Sequence, residues 1–381
     1  MEPRSGVIQR IGRRVLNSPA ANIDDFAVRS IEYDAYLPGR TVTRIEGRPT
    51  VDGQERAWSV IRKWTDAAAD TPKAPLEGAL REALAYRSRI ADVVSGFAMP
   101  IAYEVKVKEG GPVEMWLEDV VDDHERWSLA TFAVAARALG RFNGTWALRA
   151  VPHEDWLVTD WAHRQSEPVD MPAALAEITA LAEAPVVRST IGHDAGPRVA
   201  RMLEDQDRFI DGLALLPQTL CHHDAARSNL VVREAGDGTA EVVAIDWESL
   251  GPGPLGADIA TLVSGSVRKG DFPAADVAAL DETVFTAYVD SLRDVGWNGD
   301  RGIVRLGYVM SLALRCWLVR DTLRNLGDPA SRPSFGRARD VPPSDVRAAF
   351  ATLSRFLLDR ADEARNLAAS SAVAIGRRPV R

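Results

Sequence analysis

Cysteine is nearly absent. Cys221 and Cys316 are the only two in 381 residues, too few for a disulfide framework or a thiolate metal cluster. A long uninterrupted apolar run is missing as well. The most apolar later stretch, LGYVMSLALRCWLVRDTL (306–323), meets Arg315 and Arg320 before it could span a bilayer, so it reads as a buried helix. The opening MEPRSGVIQRIGRRVL is basic but lacks the apolar core of a signal peptide. A cytoplasmic chain with no membrane partner is expected. Positive charge is not in excess either. A net charge of −8 argues against nucleic acid as a main partner and suits cationic small molecules. Internal repeats and low-complexity tracts are lacking too.

What is there is the ordinary mix of a globular protein, 46% hydrophobic and 26% charged, long enough for two substantial lobes. Between residues 29 and 64, RSIEYDAYL, RTVTRIEG and AWSVIRKW alternate apolar with polar residues around turn-forming segments, as strands do. APLEGALREALAYRSRIADVV (74–94) follows with helical spacing, then two short strands in IAYEVKVKE and VEMWLEDVV. Residues 1–117 thus predict a small antiparallel sheet with one helix, and 118–123 a short acidic connector. Residues 124–372 predict a larger, mainly helical lobe, and 373–381 a frayed tail.

One strand-rich stretch interrupts the helical half: LCHHDAARSNLVVREAGDGTAEVVAIDWES (220–249). Asp224 precedes Asn229 by an Asp-x4-Asn spacing, with His222 two positions earlier. Two apolar runs around an Asp-Gly turn form a hairpin, and Asp246 ends its second strand. A hairpin brings its ends together, so Asn229 and Asp246 are placed to share one divalent cation. An amide and a carboxylate are hard oxygen donors suited to Mg²⁺. Phosphoryl transfer needs just such parts: a carboxylate for the acceptor hydroxyl's proton and oxygen ligands for the metal. Two other readings use the same residues. His, Asp and Asn are common turn formers. His223–Asp224 could also be adjacent metal ligands of a phosphohydrolase, with His153, His163 and His193 upstream, although that pair usually sits on a helix and LPQTLCHHD looks like a strand entering a loop.

The combination LCHHDAARSNLVV…VVAIDWE…GPLGADIATLV resembles the aminoglycoside phosphotransferase and choline kinase-like family of small-molecule kinases, most specifically in the carboxy-terminal half. The resemblance implies an α+β, two-lobed protein kinase-like fold, with ATP and Mg²⁺ as cofactors. It makes Asp224 the catalytic base, Asn229 and Asp246 the Mg²⁺ ligands, His222 a brace behind the loop and Asp258 a carboxylate supporting it. In the amino-terminal lobe it makes Lys63 the contact to the nucleotide phosphates, with Arg62 the competitor if the strand phase is shifted. Glu82 becomes the helix partner that aims that lysine, and backbone groups near Glu118 and Asp119 meet the adenine. Arg227 either meets the γ-phosphate or pairs with an acidic neighbour. His223 stands where relatives often have glycine, and as a loop histidine is expected to be exposed.

The chain departs from the protein kinases. No G-x-G-x-x-G occurs at the first hairpin, which supplies only Gly39 and Gly47. Ala226 stands two residues past Asp224 where they carry lysine, DWE replaces D-F-G, and no A-P-E follows. These features imply a small-molecule kinase, monomeric or homodimeric, phosphorylating a hydroxyl of an antibiotic, natural product or amino alcohol. Acidic residues outnumber basic ones between 222 and 300, which favours a cationic acceptor. A kinase-fold module that binds nucleotide without catalysis is the alternative of a different class.

Overall fold

A computed structural model describes residues 4–31, 39–66, 73–108, 110–122, 126–166, 169–234, 238–328 and 341–375. The expected strand over 29–37 falls mostly outside these residues, as do 376–381 of the expected tail. The fold is α+β and divides into two compact units. Met1–Asp123 with Val243–Leu250 make the first, and His124–Val242 with Gly251–Arg381 the second. The first unit therefore takes back eight residues, 243–250, from the far side of the motif.

The first unit opens with a helix not expected from the sequence, α1 (Ser5–Val15). It is followed by β1 (Ala27–Ser30), β2 (Arg40–Gly47), the short ribbon of β3 (Thr50–Val51) and β4 (Gln54–Glu55), and β5 (Trp58–Thr65). Then come α2 (Lys73–Ser88), β6 (Phe97–Ala98), β7 (Ala102–Val107) and β8 (Val113–Glu118). Five strands form an antiparallel sheet in the order β1-β2-β5-β8-β7. Ile8 and Ile11 of α1 pack with Ile45, Trp58, Val60 and Trp116 into one core cluster, so α1 covers one sheet face. Side chains alternate across a strand, which turns Ile61 and Lys63 to the other face. Lys63 lies opposite Val42 of β2 and Met115 of β8. Helix α2 stops at Ser88 rather than 94, because Arg89 turns left-handed (φ 56°).

The second unit begins with α3 (Leu129–Ala147), whose Ser128 Oγ caps the helix by accepting from Thr131 N. Four helices follow: α4 (Trp161–Gln165), α5 (Met171–Ala182), α6 (Pro185–Thr190) and α7 (Ala195–Glu204). After α8 (Gln206–Ala214) come β9 (Gln218–Cys221), the successive strands β10 (Leu230–Glu234) and β11 (Ala240–Ala244), and β12 (Gly251–Pro254). β12 pairs antiparallel with β9, Gly251 facing Cys221. Among the described residues that follow, the main elements are helices: α9 (Ala257–Arg268), α10 (Val277–Asp294), α11 (Arg301–Ala313), α12 (Cys316–Gly327) and α13 (Pro343–Ile375). The apolar stretch 306–323 is largely buried, as expected, but forms two helices that break at Leu314 and Arg315. Helix α13 continues through 373–375, where a tail was expected to begin.

Candidate active site

In the second unit β9 delivers a loop whose backbone is fixed from behind by one carboxylate. Asp258, fully buried in the first turn of α9, accepts from His222 N (3.0 Å) and His223 N (2.7 Å). It also accepts from Asn143 Nδ2 at 2.9 Å. That amide donates to Leu220 O as well, at 2.9 Å, while Tyr288 Oη donates to Asn143 Oδ1 at 2.8 Å. The buried acceptors and donors thus satisfy one another, as polar groups out of water must. Asn143 and Tyr288 were not singled out from the sequence. The available signal was an asparagine on the apolar stripe of α3, among Phe132, Ala135, Ala136, Leu139 and Gly140.

Forward of this network the loop presents Asp224. His222, fully buried, accepts at Nδ1 from Asp224 N (3.2 Å). Asn229 spends its amide nitrogen on Asp224, at 2.9 Å from the backbone oxygen and 2.7 Å from Oδ2. Its Oδ1, with only Ser228 Oγ at 3.5 Å, remains as a hard donor for a cation. Arg227 places its guanidinium 5.3 Å from the Trp127 ring, a cation–π arrangement. His223 corrects an expectation: it is 3% exposed. Its ring stacks on Trp161 (4.4 Å, 14°), and Nε2 lies 3.1 Å from Pro252 O. Burial pushes the imidazole down to about 4, only partly offset by Asp258, so it is neutral near pH 7.

In the first unit the strand phase separates the two cations of β5. Arg62 stays on the α1 side, 2.7 Å from Glu114 Oε1 and 5.8 Å from the Trp116 ring. Lys63 Nζ lies 2.7 Å from Glu82 Oε1 and 3.0 Å from Asp246 Oδ1. Burial alone would lower the Lys63 ammonium, but Asp246 and Glu82 outweigh it and raise it above the lysine range. Burial raises the Glu82 carboxyl, and Lys63 draws it back. Asp246 takes a left-handed backbone, φ 67°, a conformation that aspartate adopts more readily than most non-glycine residues. Two residues on, Glu248 Oε2 holds Arg40 Nη2 at 2.7 Å, and its backbone oxygen accepts from Arg81 Nε at 3.0 Å. Gly78 makes this possible, since a Cβ there would stand 2.7 Å from Glu248 Oε2.

Glu118 and Asp119 border a cavity of about 750 Å³ that Lys63 does not line. The backbone N–H of Glu118 is already committed to Ile101 O (2.8 Å), and Asp119 Oδ1 accepts from Arg44 Nη2 at 2.8 Å. Of the expected metal ligands, Asn229 belongs to the second unit and Asp246 to the first. Asp224 lines a separate cavity of about 200 Å³ within the second unit, together with His223, Thr261, Arg268, Lys269, Arg315 and Trp317. The acidic excess between 222 and 300 does not reach it. Asp224 is the only carboxylate among its described lining residues.

Residues 134–297 match the family model described as the phosphotransferase enzyme family, and the resemblance read from the sequence holds there. Amicoumacin kinase, in a complex with AMP-PNP, Ca²⁺ and its ligand, is 13% identical, covers 91% of this chain and 96% of its own, and has a TM-score of 0.48. An aminoglycoside phosphotransferase from Alicyclobacillus acidocaldarius is 16% identical over 87% of this chain and 93% of its own, with a TM-score of 0.47. One from Streptomyces rimosus is 15% identical over 81% and 98%, with a TM-score of 0.40. A search of curated proteins returned no match.

Proposed function

We propose that the chain, whose residues 134–297 match the phosphotransferase enzyme family model, transfers the γ-phosphate of ATP, with Mg²⁺, to a hydroxyl of a small molecule. The observation that carries this reading is the Asp224–Asn229 pair. One residue orients a carboxylate at 2.7 Å and keeps an amide oxygen for a cation. When bound, the nucleotide and its metal supply the phosphoryl group and neutralise its oxygens. The protein's part is positioning and electrostatics. Asp224 takes the acceptor's proton, while His222 and Asp258 fix the loop that carries it. Asn229 Oδ1 and the Asp246 carboxylate are donors of the kind Mg²⁺ accepts. Lys63, aimed by Glu82, meets the phosphates as a permanent cation.

A His–Asp hydrolase loses support from the same geometry. Of its His223–Asp224 pair, the His223 ring is stacked on Trp161 with Nε2 3.1 Å from Pro252 O, and Asp224 Oδ2 accepts from Asn229 Nδ2 at 2.7 Å.

The test is thermal melting with ATP, with and without Mg²⁺, on the native chain and on Asp246→Asn. Ligand at about a hundred times its dissociation constant stabilises by about 2.7 kcal/mol, a shift of several degrees for a chain of this size. The expected result is a Mg²⁺-enhanced shift that shrinks in Asp246→Asn. Absence of any shift rejects the reading. A full shift without ADP release for any acceptor would make the chain a nucleotide-binding module.

A further inference from the structure

The cavity beside Asp224 has the wrong sign for a cationic acceptor. Arg268, Lys269 and Arg315 all line it, against the one carboxylate of Asp224. Arg268 and Lys269 end and follow α9, where the helix dipole favours cations whatever the cavity holds, so neither is diagnostic alone. Arg315 is. It sits at the break between α11 and α12, 5% exposed. It donates to Ser311 O and, at 2.8 Å, to Thr261 Oγ1. Among the described residues no carboxylate stands within ion-pair distance of it. Burial pushes this guanidinium down to about 10; Arg268 adds to the fall, and Tyr308 and the more distant Asp224 offset it only in part.

Capping the end of α11 needs one N–H of the five that arginine carries, so the cap does not account for a buried charge. A buried cation with no carboxylate in direct contact is unfavourable, and Asp224, facing the same cavity, offsets this only at a distance; a ligand that brings an anion to Arg315 removes the cost. Arginine's planar fork matches a carboxylate or phosphate in two parallel hydrogen bonds. The cavity wall is also built for position. Thr261, Ser264, Gly265 and Arg268 fall on one face of α9, and Arg268 lies 5.6 Å from the Trp317 ring. Thr261 Oγ1 also reaches His223 O at 3.4 Å, which links the arginine to the loop that carries Asp224.

We propose that the acceptor is a compact hydroxylated anion, bearing a carboxylate or phosphate ester held by Arg315 and Arg268 while its hydroxyl meets Asp224. The inference rests on the kinase reading above. The acceptor oxygen bonds to the γ-phosphorus as its proton passes to Asp224. The bond from that phosphorus to the bridging oxygen of ATP breaks, and ADP leaves with the electron pair. The products are a phosphate monoester, ADP and one proton.

The experiment titrates the full-length chain calorimetrically, at constant ionic strength, with four probes on one skeleton: glucuronate, glucose 6-phosphate, glucose and glucosamine. At least one anion is expected to bind about tenfold or more tighter than glucose and glucosamine, equivalent to about 1.4 kcal/mol. Tighter glucuronate identifies a carboxylate, and tighter glucose 6-phosphate a phosphate ester. The preference should vanish in Arg315→Gln. Arg268→Gln, at a half-buried position, should weaken it and serves if the first variant does not fold. Glucosamine binding tightest, no discrimination, no binding by any probe, or a preference that survives both substitutions overturns the inference. MgATP melting shifts on the same preparation separate the two failures. If the shift persists, only the acceptor class is wrong; if it is missing, the kinase reading falls and takes the inference with it.

Discussion

His223 shows how one residue can couple the loop's shape to pH. Its left-handed backbone, φ 66°, is a conformation that histidine tolerates better than most residues, and its ring is enclosed between Trp161 and the β12 carbonyls. With the folded value near 4 and an unfolded value near 6.5, the unfolded chain binds more protons between those limits. Stability is therefore full above about pH 6.5 and falls as pH drops towards 4, by about 3 kcal/mol at most. Melting temperatures across pH 4–7 should decline more steeply for the native chain than for His223→Asn, which keeps the backbone preference and cannot titrate. Parallel curves would show that His223 does not set the acid limb. Asp224 makes a different kind of prediction. If it takes the acceptor's proton, Asp224→Asn lowers turnover by about 10²–10⁴-fold while nucleotide-induced stabilisation persists. Loss of both together would mean that the substitution disrupts the loop rather than the chemistry.

At the scale of elements, two features hold the loop in place: close helix packing and a buried carboxylate. Helix α3 lies against α10 so tightly that a Cβ on Gly140 would stand 2.7 Å from Tyr288 O. Gly140→Ala should therefore cost about 1–2 kcal/mol, the overpacking strain outweighing alanine's better helix propensity. Chemical denaturation reads this directly, and a neutral result would mean that the helices separate freely. Asp258→Ala is more severe, because His222 N, His223 N and Asn143 Nδ2 all lose an acceptor in the interior. A loss of about 3–5 kcal/mol is expected, and a smaller loss would mean that water reaches the site. The sequence exposed the loop and the strands around it because their signals are local: an Asp-x4-Asn spacing and two alternating apolar runs. It concealed α1, whose Ile8 and Ile11 lie in a basic segment read only for targeting. It concealed the α11–α12 break too, since apolar residues continue straight through it. Arg315 is explained there only by Ser311 and by Thr261, 54 positions away. Likewise, the sign of the cavity beside Asp224 is set by Arg268 and Lys269 at the end of α9 and by Arg315 at the α11–α12 break, a gathering that no average over 222–300 could reveal.

At the scale of the whole molecule, the chain leaves the second unit at Val242, gives residues 243–250 to the first, and returns at Gly251. Those eight residues are central to the first unit. Asp246 is the second carboxylate on Lys63, and Glu248 is the partner of Arg40. Trp247 is fully buried, with its ring edge-on to Phe97 at 6.0 Å. A fragment ending at Asp123 has the whole sheet and both helices, yet lacks all three. Removing a buried tryptophan alone costs about 3–5 kcal/mol, a large share of the stability of a domain this size. Residues 1–123 are therefore expected to give no cooperative melt by near-UV circular dichroism. The same fragment with 243–250 attached through a flexible linker should regain one. If the short fragment already melts cooperatively, the returning segment is an accessory to the first unit. If only the linked form does, the first unit cannot complete its fold until the chain has been made as far as residue 250. Lys63 would then acquire Asp246 only when the motif residues 222–229 have already been made.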